Sequence, residues 1–466
     1  MLRTALLILS GNAFGAILLL IRNLVVARLV SVEDYGIAST FAISMGVIEM
    51  VSSIGLQQLM VQDKDGDNPD LQASLHGLNF LRSFISAALL FMIAHPMAQF
   101  FGVPDLAWAY QLMALIPIIR ALEHMDIHRM NRDMNFKPLV VTRVLPTFIS
   151  LASIWPVYTL YPDYRVMLVA IFVQWGLSIP ISHLVAHRAF RMRFDRKIML
   201  RALKFGWPLL VNNLFMFLTF QGDKLISGHI LGLEALGLIV VGTTLTLTPS
   251  LMVAATEQQF FLPQLSAAQE KTKEFSNLAL TSMQVSLCSG LAILFVIVLF
   301  GETLTYLLFG EKYAGVVYIL PWMALLYCFR SFKIGVVTAA LSVAQTSNEM
   351  IANFFRICLI PVAFIVLQKT GEMVHVIWIS SLGELVAYGV SVFVLGSLSR
   401  VDLKEMIYPW VFTFLALALL VIRLTLGEVE WWENGILVFG ISLCLGLALL
   451  GMKQLREYLG GRVGRA

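Results

Sequence analysis

Arg22-Asn23-Leu24-Val25-Val26-Ala27-Arg28-Leu29-Val30-Ser31-Val32-Glu33-Asp34-Tyr35-Gly36 returns about halfway along the chain as Asp223-Lys224-Leu225-Ile226-Ser227-Gly228-His229-Ile230-Leu231-Gly232-Leu233-Glu234-Ala235-Leu236-Gly237. With Gly36 laid on Gly237, Glu33 falls on Glu234, Ala27 on Gly228 and Arg28 on His229. In both copies an apolar helix ends, a Glu-containing turn follows, and a Gly opens the next apolar helix. A repeat at this separation means a chain of two similar halves. In a membrane protein such halves belong to transporters that rock one half against the other around a site between them.

The composition supports a membrane protein. The chain is 58% hydrophobic and 13% charged, with mean hydropathy +0.81; a soluble protein carries roughly 25% charged residues. Apolar runs of roughly 20 residues suit bilayer-spanning helices. They fall near 6–29, 36–61, 76–100, 107–128, 138–160, 166–187, 207–230, 236–262, 279–300, 316–342, 350–368, 374–398, 407–426 and 435–452. The fold expected is all-α and polytopic, with about fourteen spans: a six-helix bundle over 1–194, a second over 195–398, and an added helix pair with a cytoplasmic tail over 399–466. The run after Arg3 is too long for the apolar core of a cleavable signal and reads as the first span. The four cysteines, Cys288, Cys328, Cys358 and Cys444, lack metal or redox spacing and read as packing residues.

Two further echoes support the repeat. Phe101-Gly102 and Phe309-Gly310 each end a span, with Tyr110 and Tyr318 following at the same distance. Arg143 and Arg356 open the fifth and eleventh spans. If the N-terminus is inside, the inner segments hold 20 Lys and Arg and the outer ones only Arg165, Lys312 and Lys369. This bias places both termini in the cytoplasm. The longest basic run, Arg188 to Lys204, joins the two halves on the inner side and reads as a linker on anionic lipid headgroups rather than a nucleic-acid site.

The loops are too short for a catalytic domain. Asp63-Lys64-Asp65-Gly66-Asp67 has the Asp-x-Asp form of a sugar-nucleotide metal site, but no nucleotide-binding fold surrounds it, and it reads as a solvated acidic turn. Its spacing does not fit an EF-hand. His124 and His128, at i and i+4 beside Glu123 and Asp126, read as a polar inner mouth rather than a zinc site. No metal or cofactor is expected.

Charges inside the spans carry more information. Ten are basic: Arg22, Arg28, Arg82, Arg120, Arg143, Lys224, Arg330, Lys333, Arg356 and Arg423. Four are acidic: Glu49, Asp223, Glu257 and Glu384. A charge at mid-bilayer costs roughly 2.5–3.5 kcal/mol on insertion scales, so it faces a polar cavity or a partner. Arg28, Arg82, Arg143, Arg356 and Arg423 lie near span ends and can snorkel. Arg22, Arg120, Lys224, Arg330 and Lys333 lie deeper. A basic excess suits an anionic cargo such as a diphosphate headgroup. Arg330 and Lys333, at i and i+3, share a helix face. The expected cargo-binding set is Arg22, Arg28, Arg120, Arg143, Lys224, Arg330, Lys333 and Arg356; Glu49, Asp223, Glu257 and Glu384 are the expected gating or ion-coupling set. The alternative is that these charges form structural ion pairs between helices. Pro117, Pro146, Pro156, Pro180, Pro249, Pro321 and Pro361 can kink the spans that hold them.

Ala27-Arg28-Leu29-Val30-Ser31-Val32-Glu33-Asp34-Tyr35-Gly36 resembles the Ala-Arg-Leu-Leu-Gly-Pro-Glu-Asp-Tyr-Gly element of polysaccharide flippases, within the multidrug/oligosaccharidyl-lipid/polysaccharide exporter superfamily. Ser31-Val32 departs from the family's Gly-Pro. Asn131-Arg132-Asp133-Met134-Asn135-Phe136-Lys137 resembles the family's loop before the fifth helix. Lys204-Phe205-Gly206-Trp207-Pro208 with Gly222-Asp223-Lys224-Leu225-Ile226 resembles the start of its second lobe. The resemblance covers most of the chain and is weakest over the last two spans. It implies two six-helix bundles around a V-shaped cavity, and alternating access coupled to an H+ or Na+ gradient. The cargo it implies is a polyprenyl-diphosphate-linked oligosaccharide crossing the bacterial cytoplasmic membrane for exopolysaccharide or lipopolysaccharide synthesis. Its implied partners are that lipid-linked oligosaccharide, membrane lipid and the glycan polymerase machinery. A lipid II flippase or a multidrug/cation exporter of the same superfamily is the alternative; the cation exporter fits the basic excess poorly. A membrane glycan polymerase or ligase, the rival from another class, would be expected to have a large outer loop, which this chain lacks.

Overall fold

The structure, a computed structural model, describes residues 2–52, 55–62, 65–133, 135–345, 347–397, 401–426 and 431–463. Among these residues there are eighteen α-helices, three short 3-10 turns and no strand. In chain order the helices are α1 (Leu2–Leu29), α2 (Val32–Ser52), α3 (Leu56–Gln62), α4 (Pro69–Phe100), α5 (Ala107–Met113), α6 (Ile116–Ala121), α7 (Asp126–Arg132), α8 (Lys137–Leu160) and α9 (Arg165–Val185). There follow α10 (Arg196–Ile230), α11 (Leu233–Ala267), α12 (Thr272–Leu308), α13 (Gly315–Ser342), α14 (Ser347–Thr370), α15 (Met373–Gly396), α16 (Ile407–Thr425), α17 (Trp431–Gly451) and α18 (Lys453–Val463).

Among the described residues ten helices are long and apolar enough to cross a membrane, or eleven if residues 104–132, bent by 51° between α6 and α7, form one broken span. The helices α1, α2 and α10 run 28, 21 and 35 residues, long enough for a bilayer at 1.5 Å per residue. The protein is thus an all-α, multi-pass membrane protein.

By packing, the chain divides into two compact units: residues 1–240 with 306–313, and residues 241–305 with 314–466. In the second unit α13 is the central helix. Its apolar stretch is 83% buried, against 17–44% for the other spans. Helix α15 packs against both α13 and α14. The α16–α17 pair is joined to them through an aromatic cluster of Phe329, Phe332, Tyr388 and Phe414, and Trp410 donates to the Tyr388 hydroxyl at 2.6 Å.

In the first unit the two copies of the repeated stretch meet. A Cβ on Gly36 would lie 1.9 Å from the Leu233 carbonyl oxygen, and one on Gly237 would lie 2.5 Å from that of Val32. Val32 and Leu233 hold the same place in the two copies, so the contact is reciprocal. Only glycine permits such close approach of two backbones. The ends of the preceding helices are reciprocal as well. The Arg28 guanidinium donates to the Leu307 carbonyl at 2.6 Å, in the last turn of α12. His229 Nδ1–H donates to the Phe100 carbonyl at 2.6 Å, in the last turn of α4, with its ring stacked on Phe100. Each basic residue thus satisfies a helix-terminal carbonyl that has no partner within its own helix. Gly102 and Gly310, which follow those two helices, have φ of +73° and +96°, the left-handed turn that commonly ends a helix.

The end of α1 is capped in turn from the segment after α12. Lys312 Nζ donates to the carbonyls of Arg28, at 3.0 Å, and Val30. The Tyr313 hydroxyl donates to the Ala27 carbonyl at 3.0 Å. Partial burial, and secondarily the Arg28 charge, pull the Lys312 ammonium below the usual lysine range.

The basic run after α9 is not simply spread on headgroups, as the sequence suggests. It folds back over the end of the first unit where α4 begins. Arg193 N–H donates to the Ala73 carbonyl at 2.9 Å, and Gly77 leaves room for the Arg193 carbonyl, 2.3 Å from where a Cβ would sit. The Asp126 carboxylate accepts from the His187 and Arg188 N–H groups. The acidic turn answers the strap's cations: Asp70 pairs with Arg193 at 2.7 Å and Asp65 with Arg201 at 3.0 Å, while Arg188 donates to the Asp67 carbonyl at 2.9 Å. Arg191, Arg196, Lys197 and Lys204 remain exposed. Asp63 and Lys64 lie outside the described residues.

Candidate functional site

Four of the expected residues come together in the second unit. Arg330 and Lys333 project from α13, Arg356 from α14 and Glu384 from α15. Arg330 Nε and Arg356 NH2 both donate to Glu384 Oε1, at 2.5 and 2.6 Å. The Glu384 side chain has no exposed surface, and the two guanidiniums are 13% and 10% exposed. The Arg330 guanidinium also lies 5.0 Å from the Tyr327 ring centre. Lys333 is buried and donates to Asn353 Oδ1 at 3.3 Å, an oxygen that also accepts from Arg356 at 3.4 Å. Glu349 acts on Lys333 electrostatically. Among the described residues the cluster thus brings three basic side chains to Glu384, with Glu349 more remote. Two guanidiniums from different helices share one buried carboxylate oxygen.

The first unit holds a second basic site. Arg22 is buried, and its NH1 donates to Gln174 Oε1 at 2.5 Å. Gln174 donates onward to Thr147 Oγ1 at 3.3 Å. Among the described residues Arg22 has no carboxylate partner, so a buried cation is met only by a neutral amide. Beside Gln174, the Trp175 ring carries the Arg120 guanidinium 4.1 Å from its centre, a cation–π contact. Glu123 acts electrostatically on Arg120 and on the exposed Arg143.

The remaining residues are dispersed. Arg28 is exposed and caps α12. Asp223 and Lys224 are half-buried and each is engaged by a partner. The Glu49 side chain lies outside the described residues. Glu257 on α11 is buried, and its two oxygens accept from Ser286 and Ser289 of α12, at 2.6 Å each. His124 belongs to a ring cluster with His76, His183 and Phe190, at centroid separations of 4.4–5.6 Å. Phe190 comes from the strap, so this cluster helps seat it. Among the described residues no group of three His, Cys, Asp or Glu side chains is placed to hold a metal.

Sequence reasoning missed Gln174, Thr147, Trp175, Asn353, Ser286 and Ser289. All are uncharged and common in membrane helices, so none stands out from its own run.

The family described as "Polysaccharide biosynthesis protein" matches residues 25–318. The chain is 21% identical over 292 residues to the "Succinoglycan biosynthesis transport protein ExoT" of Rhizobium meliloti (strain 1021), covering 62% of this chain and 58% of that one. It is 23% identical over 280 residues to the "Amylovoran biosynthesis protein AmsL" of Erwinia amylovora, covering 59% and 71%. The matched stretch therefore spans less than two thirds of the first relative. In fold the chain resembles an inward-facing multidrug resistance transporter of the MATE family of the MOP superfamily, with TM-score 0.67 at 15% identity over 83% of this chain and 96% of that one. It resembles the lipid II flippase MurJ in an inward closed conformation equally, with TM-score 0.67 at 15% identity over 98% and 99%. The helix order, the internal repeat and the matched span agree: this chain is a member of the polysaccharide biosynthesis protein family, built on the MATE- and MurJ-type membrane fold.

Proposed function

We propose that the protein carries a polyprenyl-diphosphate-linked oligosaccharide from the inner to the outer leaflet of a bacterial cytoplasmic membrane, by alternating access, and is a transporter rather than an enzyme. One observation carries the reading: Arg22, buried within the first unit, meets no carboxylate among the described residues. An anionic cargo supplies the missing charge through charge-assisted hydrogen bonds, and Arg22, Arg120 and Arg330 are the residues assigned to its diphosphate. The names of the two curated relatives support a glycan as the rest of the cargo. A multidrug cation has the wrong charge for these sites; lipid II, also a prenyl diphosphate, is the nearer rival. In this reading both termini and the basic strap are cytoplasmic, an ion gradient drives the cycle, and the glycan polymerase machinery receives the product outside.

The test is a flippase-null producing strain complemented with wild type, Arg22→Ala and Arg22→Lys. A lost charge-assisted hydrogen bond is worth about 1.5–3 kcal/mol. Export by Arg22→Ala at normal protein levels should therefore fall by about one to two orders of magnitude, and Arg22→Lys should restore part of it. Normal export by Arg22→Ala would remove this residue from the site.

A further inference from the structure

Among its described residues the second unit buries two carboxylates in different surroundings. Glu384 is held by two guanidiniums. Glu257 is not: among the described residues no cation from any helix pairs with it, and its partners are the hydroxyls of Ser286 and Ser289. The neighbouring titratable group that feels its charge is the Cys288 thiol of α12, whose sulfur lies 3.3 Å from the Met452 thioether. Glu257 stands ten residues before the end of α11, about 15 Å along the helix.

The two serines have a property that a mere anchor would not require. Ser286 Oγ lies 2.6 Å from Glu257 Oε2 and 3.0 Å from the Ser282 carbonyl. Ser289 Oγ lies 2.6 Å from Glu257 Oε1 and 3.2 Å from the Ser286 carbonyl. A hydroxyl carries one proton and two lone pairs, so each serine can serve the carboxylate or its own helix carbonyl. With Glu257 ionised, both hydroxyls donate to it. With Glu257 protonated, its O–H donates to one serine, which turns its own proton to the carbonyl behind it, while the other serine keeps donating. Only one hydroxyl rotates, and every donor is used in both states.

We infer that Glu257, with Ser286 and Ser289, is a proton-binding site that loads and unloads during the transport cycle. The contacts favour a proton over a metal ion. The oxygens stand at hydrogen-bonding separation, whereas oxygens that share a cation, each about 2.3–2.6 Å from a calcium-sized ion, are pushed further apart. The inference deepens the transport reading by naming its coupling ion, and it rests on that reading for its purpose.

The test is an infrared pH titration of the purified full-length protein, from about pH 4 to about pH 9, the range in which buried carboxyls titrate. Wild type should show a protonated carboxyl C=O band that rises as pH falls and is lost in Glu257→Gln, whose amide can replace the neutral acid among the same hydroxyls. Ser289→Ala removes one donor to the charged form, so it should keep the band and move its midpoint to higher pH. Identical titrations of wild type and Glu257→Gln, or an unmoved midpoint in Ser289→Ala, would overturn the site. No cargo is needed, so a negative titration leaves the flippase reading intact, and failed export in the producing strain leaves the titration intact.

Discussion

Glu384→Gln should be the most damaging single change in the second unit. The carboxylate neutralises two guanidiniums from neighbouring helices, on one oxygen, with no exposed surface of its own. The glutamine keeps the shape and one acceptor but removes the charge. It leaves Arg330, Arg356 and Lys333 together in a low-dielectric interior without the negative charge that they share. Breaking a buried pair from one side costs about 3–5 kcal/mol, and two pairs are broken here. Arg330→Met should cost less stability, because Glu384 keeps Arg356 at 2.6 Å and the methionine can pack on Tyr327. Its export should nevertheless fall, because Arg330 is assigned to the cargo. The assays are thermal unfolding of the detergent-purified protein and glycan export in the producing strain. If Glu384→Gln unfolds at the wild-type temperature, the clamp does not hold the three helices together. If Arg330→Met exports normally, the cluster is structural and the cargo binds elsewhere.

Three other outcomes can be checked. Gly36→Ala must move its Cβ from 1.9 Å to at least 3.0 Å from the Leu233 carbonyl, a shift of 1.1 Å, against 0.5 Å for Gly237→Ala at Val32; overpacking costs about 1–3 kcal/mol, so Gly36→Ala should be the worse in thermal unfolding. The double variant should lose less than the sum, since one separation relieves both, and additive losses would contradict a shared contact. In intact spheroplasts, an impermeant amine reagent should label Lys312, whose lowered pKa leaves more free amine at mildly alkaline pH, but not Lys271 or Lys273; the reverse pattern would invert the topology. Asp126→Asn weakens the seat of the strap at His187 and Arg188 and should make the segment around Arg191 more protease-sensitive from the cytoplasmic side, whereas unchanged cleavage would show that other contacts hold it.

Legibility followed charge and local pattern. The repeat was readable because glycine at a backbone crossing and an acidic residue in the first turn of a helix are local requirements, present twice. Arg330, Lys333, Arg356 and Glu384 were readable singly, because a charge in an apolar run stands out. Their convergence on one carboxylate was not, because it depends on which faces of α13, α14 and α15 meet. The strap shows the same limit more sharply. Arg193 and Asp70 lie more than a hundred residues apart, and each reads locally as a solvated charge. The division of roles between Glu257 and Glu384 was equally hidden, because serine and arginine partners come from other helices.

The reciprocal meeting of the two repeated stretches has a consequence for ancestry. Residue i of one half touches j of the other, and j touches i, which is the pattern of an isologous interface between two copies of one chain. A half-length ancestor carrying one such stretch has, in this geometry, a surface that pairs with its own copy through the same glycine crossing. Fusion released it from identity. One cap is now the Arg28 guanidinium, with a forked set of donors, and the other the His229 imidazole, which donates from one ring nitrogen. A symmetric dimer must change both caps at once, while the fused chain can weaken one helix end and leave the other closed.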